Sequence, residues 1–437
     1  MIKNFIAFAL CAAMLLSLFA GCDKQEPVET LPEEPTPAPT QGIQETVLEI
    51  PADERPYVGT SLTFLSLLAP DDPRAEVVKQ AAEVFEMTTG ARMEVFYLAG
   101  DETVLLSNLS SGVRADIFAA SVDALEQLAP DYALDLTDMA ERADYEQHSH
   151  SVLRDQVIRR CGFLAGIPQE PVLYGVYCNA DALEEAGIRE FPETWVEFLE
   201  ASQRLVDEGF MPLTLDIETC CAVLELHLQR HLGADVLRQK LAERRWNQDG
   251  ADVDLFQRCV DYAAAGYLAK GDPSALPKGQ EKIALSNVAM TVGSNLLCGR
   301  VERETLMDVS WAVYPYPGDG QGSGVAVESQ VLAVHRDCAN AQAAFDFIEL
   351  LTTGEFDRLY AGAAEGIPAD PANESGILNA VGLLSAAGPE GMGLLSERDN
   401  ELFSRLWNGW YKNAYYFAGA MNELTANYEM PATEGVG

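Results

Sequence analysis

Between residues 61 and 128 the spacing of apolar residues switches repeatedly between two periods, and this alternation constrains the fold more than any other feature. Residues 61–68 (SLTFLSLL) form a short apolar run of the kind expected in a buried strand. Residues 72–89 carry Val77, Val78, Ala81, Ala82, Val84 and Phe85 at helical spacing, closed by Gly90. A second strand is expected at 93–98, a helix at 102–109 stopped by Gly112, a third strand at 116–119 and a helix at 124–128. Strands separated by helices must run parallel through crossovers, which puts helices on the faces of a sheet.

The alternation resumes further on. Strands are expected at 171–178, 288–292, 309–314 and 324–334. Helices are expected at 179–187, 195–208, 219–232, 255–267, 340–351, 355–361 and 398–420. No period of 20–50 residues repeats, which argues against a solenoid or propeller. A chain of 437 residues is long enough for two or three domains. The fold class predicted is α/β, built as two lobes.

The N-terminus reads as a targeting segment. Lys3 precedes an uncharged run, FIAFALCAAMLLSLFA, of 16 residues. As a helix it would span about 24 Å, short of the ~30 Å hydrocarbon core, so it reads as a signal peptide rather than a membrane span. It ends Phe19-Ala20-Gly21-Cys22, which resembles a bacterial lipobox with Phe19 where Leu is usual. That resemblance implies residues 1–21 as signal peptide and Cys22 as the lipidated N-terminus of the mature chain. Residues 22–57 are rich in Pro, Glu and Thr and cannot bury enough apolar surface to fold. They are expected to form an extended tether, at about 3.1 Å per residue in polyproline form.

Composition removes several function classes. Lys+Arg is 29 against 68 Asp+Glu, a formal net charge of −39. No surplus of cations exists to neutralise phosphates, so no nucleic-acid partner is expected. Self-repulsion at this charge favours a monomer. Beyond Cys11 and Cys22 seven cysteines remain, an odd number without a CxxC pair, so they are expected to be small hydrophobic residues rather than a disulfide framework. His227 and His231 stand four apart, but Leu228 occupies the position where a zinc protease needs Glu. They are expected to be ordinary helix residues; His148 and His150 are expected on the surface. The loop 318–324 (GDGQGSG) has the glycine density of a phosphate loop but lacks Lys-Ser/Thr and runs into a strand. It is expected to be a mobile inter-lobe loop. Glu184 and Glu185 read as solvated. No metal and no cofactor is expected.

Several stretches, in order, resemble the extracellular solute-binding proteins of ABC importers, the family that includes maltose-binding protein. They are SSGVRADIFAAS at 110–121, YCNADALEEAGIREFPETWVEFLEASQRL at 177–205, SNVAMTVGSNL at 286–296, VSWAVYPYPGDGQGSGVAVESQVLAVHRDCANAQAAFDFIELL at 309–351 and AEGIPAD at 364–370. The resemblance implies a type II periplasmic-binding-protein-like fold whose lobes are joined by crossing hinge strands, near 166–174, 314–322 and 366–371. Lobe 1 would comprise 58–167 and 318–366, and lobe 2 168–317 and 367–437. It also implies ligand in the cleft and closure by a hinge. The candidate ligand contacts are Asp116, Glu170, Tyr174, Asn295, Trp311 and Glu328, with Trp407, Trp410 and Tyr411 on one face of the last helix. Aromatic faces and planar polar groups suit a carbohydrate. The implied function is that of a non-catalytic, lipid-anchored receptor on the extracellular or periplasmic face of the cell membrane. It would deliver a mono- or oligosaccharide to ABC permease subunits. A secreted polysaccharide-active enzyme, and a sensory or adhesive lipoprotein reusing the fold, are the alternatives.

Overall fold

The computed structural model describes residues 55–388, except 101, 114, 215–219, 244–250, 269–281, 286 and 321. The signal segment, Cys22, nearly all of the tether and the aromatic helix expected at 398–420 lie outside the described residues.

The first β-α-β-α-β unit forms as the apolar pattern requires. Strand β1 (Ser61–Ser66) leads into helix α1 (Pro73–Thr89), which Asp72 caps by accepting from the Arg74 N–H at 2.9 Å. Proline suits the first helical position because its missing N–H would be unpaired there in any case. Next come β2 (Arg92–Tyr97), α2 (Glu102–Ser110), β3 (Ile117–Ser121) and α3 (Val122–Tyr132). Strand β1 pairs in parallel with both β2 and β3.

Helices α4 (Thr137–Arg142) and α5 (Ser151–Cys161) precede the long strand β4 (Ile167–Asn179). After it come α6 (Ala180–Glu185), α7 (Trp195–Asp207), β5 (Met211–Thr214), α8 (Cys220–Leu232), α9 (Ala234–Glu243), α10 (Ala251–Ala264) and α11 (Lys282–Leu285). Helix α7 opens on a capping box in which Thr194 and Glu197 bond each other's backbone N–H groups. The chain continues through β6 (Val288–Ser294), α12 (Leu296–Thr305), β7 (Trp311–Tyr314), β8 (Ala326–Val334), α13 (Ala341–Thr352), α14 (Gly354–Ala363) and α15 (Ala380–Ala386).

The strands join in the order β2-β1-β3-β8-β4-β6-β5, with β7 also on β4. Strand β4 holds this arrangement together. Its first half runs antiparallel to β8, from Ile167 opposite Leu332 to Tyr174 opposite Ala326. Its second half lies between β6 and β7. It therefore contributes Ile167 to one hydrophobic core, which also holds Phe64, Phe85, Phe345 and Phe347. It contributes Val176 and Cys178 to a second core around Trp195, Phe198 and Tyr262, and Leu173 and Tyr177 to a third.

Two expectations about loops and histidines are corrected. The glycine-rich loop, expected to be mobile between lobes, is held against α8 and α10. The Gly318 N–H donates to the Glu193 carbonyl at 2.9 Å, the Gly322 N–H donates to the Arg230 carbonyl at 3.1 Å, and Asp319 pairs with Arg258 at 2.8 Å. A Cβ at Gly322 would lie 2.1 Å from the Gln229 carbonyl oxygen, so the backbones can meet only through glycine. The chain crosses between cores in β4 and β8. His150, expected on the surface, is buried at the start of α5, where desolvation holds its imidazole below the usual value. His148 is half-exposed and meets Asp370 at 3.1 Å.

His227 packs as a core residue. It is fully buried, within hydrogen-bond distance of the Tyr316 hydroxyl and the Leu255 carbonyl, and burial together with His231 pushes it down to about 3. Glu184 and Glu185 are exposed. Cys178, Cys259 and Cys298 are buried free thiols, and Cys161 and Cys338 are half-buried ones.

Candidate ligand-binding site

A cavity of about 500 Å³ opens where the C-terminal end of β1 meets β4, β8, α12 and α14. Phe64, Ser66 and the loop Leu67-Leu68-Ala69 form one wall, Leu296, Arg300 and Arg303 of α12 face them, and Gln169, Glu170 and Gln330 form the floor. Neighbours in a regular strand point to opposite faces. Here the β4–β8 register shifts between Pro168 and Glu170, and this bulge lets both Gln169 and Glu170 reach the cavity.

An ionic triad fixes the centre. Arg74 donates from Nε and Nη2 to the two oxygens of Asp72, at 2.9 and 2.7 Å, and from Nη1 to Glu170 Oε1 at 2.6 Å. Its guanidinium also lies 5.9 Å above the Tyr360 ring. Burial would raise the Asp72 carboxyl, but hydrogen bonds from Arg74 and the charges of Arg74 and Arg303 hold it below its ordinary value. Glu170 is buried more deeply. Desolvation outweighs the pull of Arg74, and its carboxyl sits above the usual range.

The sequence candidates do not all converge on this cavity. Glu170 lines it. Asp116 is buried before β3, where its carboxylate accepts from the Thr63 N–H at 2.9 Å and so ties β3 to β1. Asn295 is completely buried; its amide accepts from the Leu173 N–H at 2.8 Å and donates to the Pro171 carbonyl at 3.1 Å. Both ends of that side chain are spent on β4. Trp311 is buried in the third core with its indole N–H on Glu302 at 3.0 Å. Tyr174 donates to Glu328 at 3.2 Å, and neither is among the residues lining the cavity. Trp407, Trp410 and Tyr411 lie outside the described residues. Arg74, Arg300, Arg303, Gln169 and Gln330 were not among the candidates.

Burial, with Asp123 and Glu225 nearby, pushes the Glu328 carboxyl up to about 7, against the smaller opposing effects of Tyr174 and Arg160. A folded-state value above the unfolded one means that the folded chain binds more protons between about 4.5 and 7. Its contribution therefore favours folding at the acid end and is lost as pH rises through about 7. Denaturant titrations at pH 5.5 and pH 8 should show this loss in the parent chain, and a flatter dependence in Glu328→Gln.

The model of the bacterial extracellular solute-binding proteins matches residues 80–375. The chain belongs to that family. A sequence search of curated proteins finds no match. Among solved structures, the solute-binding protein is similar to the apo form of RafE from Streptococcus pneumoniae (TM-score 0.67, 16% identity, 85% of this chain and 98% of that one). It is also similar to RafE in complex with raffinose (TM-score 0.60, 16% identity, 84% and 98%). A third is a sugar transporter from Bacillus licheniformis in complex with stachyose (TM-score 0.59, 17% identity, 84% and 100%). At these identities the likeness establishes the fold, the α/β two-lobe type II architecture. Family membership places the solute-binding protein on the extracellular or periplasmic side.

Proposed function

We propose that this solute-binding protein is a lipid-anchored receptor that captures a saccharide and delivers it to the permease of an ABC importer. The observation that carries the reading is the cavity at the C-terminal end of β1, walled by elements on both sides of β4 and β8. Open α/β sheets bind ligands at such strand ends, and closure around a ligand needs contacts from both sides. The saccharides named in the similar structures support the ligand class. Glu170 is the proposed contact from the described part of the chain, with Trp407, Trp410 and Tyr411 as proposed stacking rings. A polysaccharide-active enzyme would need two carboxyl groups opposed across open space. Asp72 and Glu170, both in the cavity wall, are instead tied to one guanidinium.

A thermal-shift screen of the purified protein against mono- and oligosaccharides tests this. A ligand at 100 times its Kd adds about 2.7 kcal/mol of stability. At least one saccharide should raise the melting temperature. Shifts with amino acids or peptides alone would overturn the ligand class. Anchoring is tested separately: Cys22→Ala should move the protein from the detergent-soluble membrane fraction into the medium or periplasm. Retention of the variant in membranes would remove the lipid from the proposal.

A further inference from the structure

Carboxyl groups from three elements come together where β4 and β8 cross between cores. Glu328 of β8 stands opposite Val172 of β4, and Tyr174, two positions further along β4, shares that face. The Tyr174 hydroxyl accordingly reaches Glu328 and donates to it at 3.2 Å. Asp123 approaches from the first turn of α3 and Glu225 from α8, and both charges act on Glu328 and on the Tyr174 hydroxyl.

The two approaching acids stand on different cores. Val122, Leu125 and Leu128 anchor α3 in the core of Phe64 and Phe345. Leu226 and Leu228 anchor α8 in the core of Trp195 and Phe198. Glu328 lies on the connection between them, since Val331, Leu332 and Val334 of β8 belong to the first core and Ala326 to the second. A change in the angle between these cores therefore changes how closely Asp123 and Glu225 approach Glu328.

Acids prevail at this place. Burial, Asp123 and Glu225 push the Glu328 carboxyl up to about 7, against Tyr174 and Arg160. Arg160 of α5 has the weakest effect, and it is already bonded to Asp123 and Glu126. Glu225 is 3% exposed and accepts from the Gln229 amide at 2.9 Å. Salt and water screen a charge so placed much less than one on the surface.

We infer that Glu328 is a proton-operated stop between the two cores. Ionised, it repels Asp123 and Glu225 and holds the α3 and α8 sides apart. Protonated, it is a neutral hydrogen-bonding group, and the two sides can come together. The sign follows from linkage. Approach of the two acids raises the affinity of Glu328 for a proton, so by reciprocity proton binding favours their approach. The stop works whichever ligand the protein takes, and so stands or falls apart from the saccharide reading.

Pulsed electron–electron double resonance on the purified, unliganded protein tests the inference. Nitroxides are attached through ketone-bearing unnatural residues in place of Asp131 on α3 and Glu200 on α7, both exposed. Their mean separation should be shorter at pH 5.5 than at pH 8.5, with the change centred at about 7. Glu328→Gln, which keeps an acceptor for Tyr174, should show the short separation at both pH values. Tyr174→Phe removes a bond that favours the ionised carboxylate, so its change should be centred at a higher pH. Melting curves establish that each variant is folded, and should Glu328→Gln fail to fold, the midpoint in Tyr174→Phe decides. A separation independent of pH in the parent would overturn the stop. So would a change that persists in Glu328→Gln, which would assign it to the overall charge of −39. An unmoved midpoint in Tyr174→Phe would show that a group other than Glu328 is titrating, and would overturn it equally.

Discussion

Replacing Arg74 with methionine should lower the stability of the folded chain by about 3–5 kcal/mol, the usual cost of breaking a buried ion pair by removing one partner. Arg74 answers two carboxylates, and Glu170 is 7% exposed with its carboxyl already pushed upward by burial. Without the guanidinium that carboxylate must stay charged in a poorly solvated place or take up a proton. Urea titration followed by circular dichroism measures the loss. The double variant Arg74→Met/Glu170→Gln should recover most of it, because the stranded charge is gone. A single variant within about 1 kcal/mol of the parent would mean that water reaches the pair well enough to replace the arginine.

A comparable loss, about 3–5 kcal/mol, is expected for Phe347→Ala. Phe347 is fully buried on α13, edge-on to Phe64 of β1 at 6.2 Å and to Phe85 of α1 at 5.4 Å. Truncation opens a void where three elements meet, and the rigid strand β1 cannot move to fill it. Phe64 also lines the cavity, so the same variant should weaken ligand binding in the fraction that remains folded. Urea titration with and without ligand separates the two effects. An affinity equal to that of the parent would show that this wall keeps its shape without Phe347.

The alternation of strands and helices was legible because buried strands are short continuous apolar runs and α1 keeps a regular apolar stripe. The strand expected at 61–68 is β1 (Ser61–Ser66), and the helix expected at 72–89 is α1 (Pro73–Thr89). Helix α5 was not legible. Its sequence SVLRDQVIRRC is mostly polar, and its stability comes from packing Val152, Leu153 and Val157 rather than from a visible stripe. Helix α12 was hidden by Gly299, which reads as a breaker. In the fold that glycine is a contact, since a Cβ there would lie 2.2 Å from the Ala364 carbonyl oxygen. Without α12, nothing in local spacing brings Arg300 and Arg303 to the cavity. Asn295 and Trp311 have the right chemistry for a sugar, but whether an amide or indole faces ligand or backbone depends on neighbours more than 100 residues away for Asn295. Glu170 was placed through the family pattern. Arg74, its partner, sits 96 positions earlier and carries no motif of its own.

The length of β4 has a mechanical consequence. One strand of 13 residues carries side chains into all three cores, and β8 pairs with it from Ile167 to Tyr174 on both sides of the bulge at Gln169. A rotation of one core against another therefore has no loop to turn on in β4, only paired strand and one bulge. It has to be taken up as extra twist shared among many backbone torsions, each shifted by a little. Twisted strands resist such deformation in both directions, so β4 and β8 together behave as a torsion spring. Such a spring would give the two ends of the strand one preferred angle, to which they return whenever a load that twists them is removed.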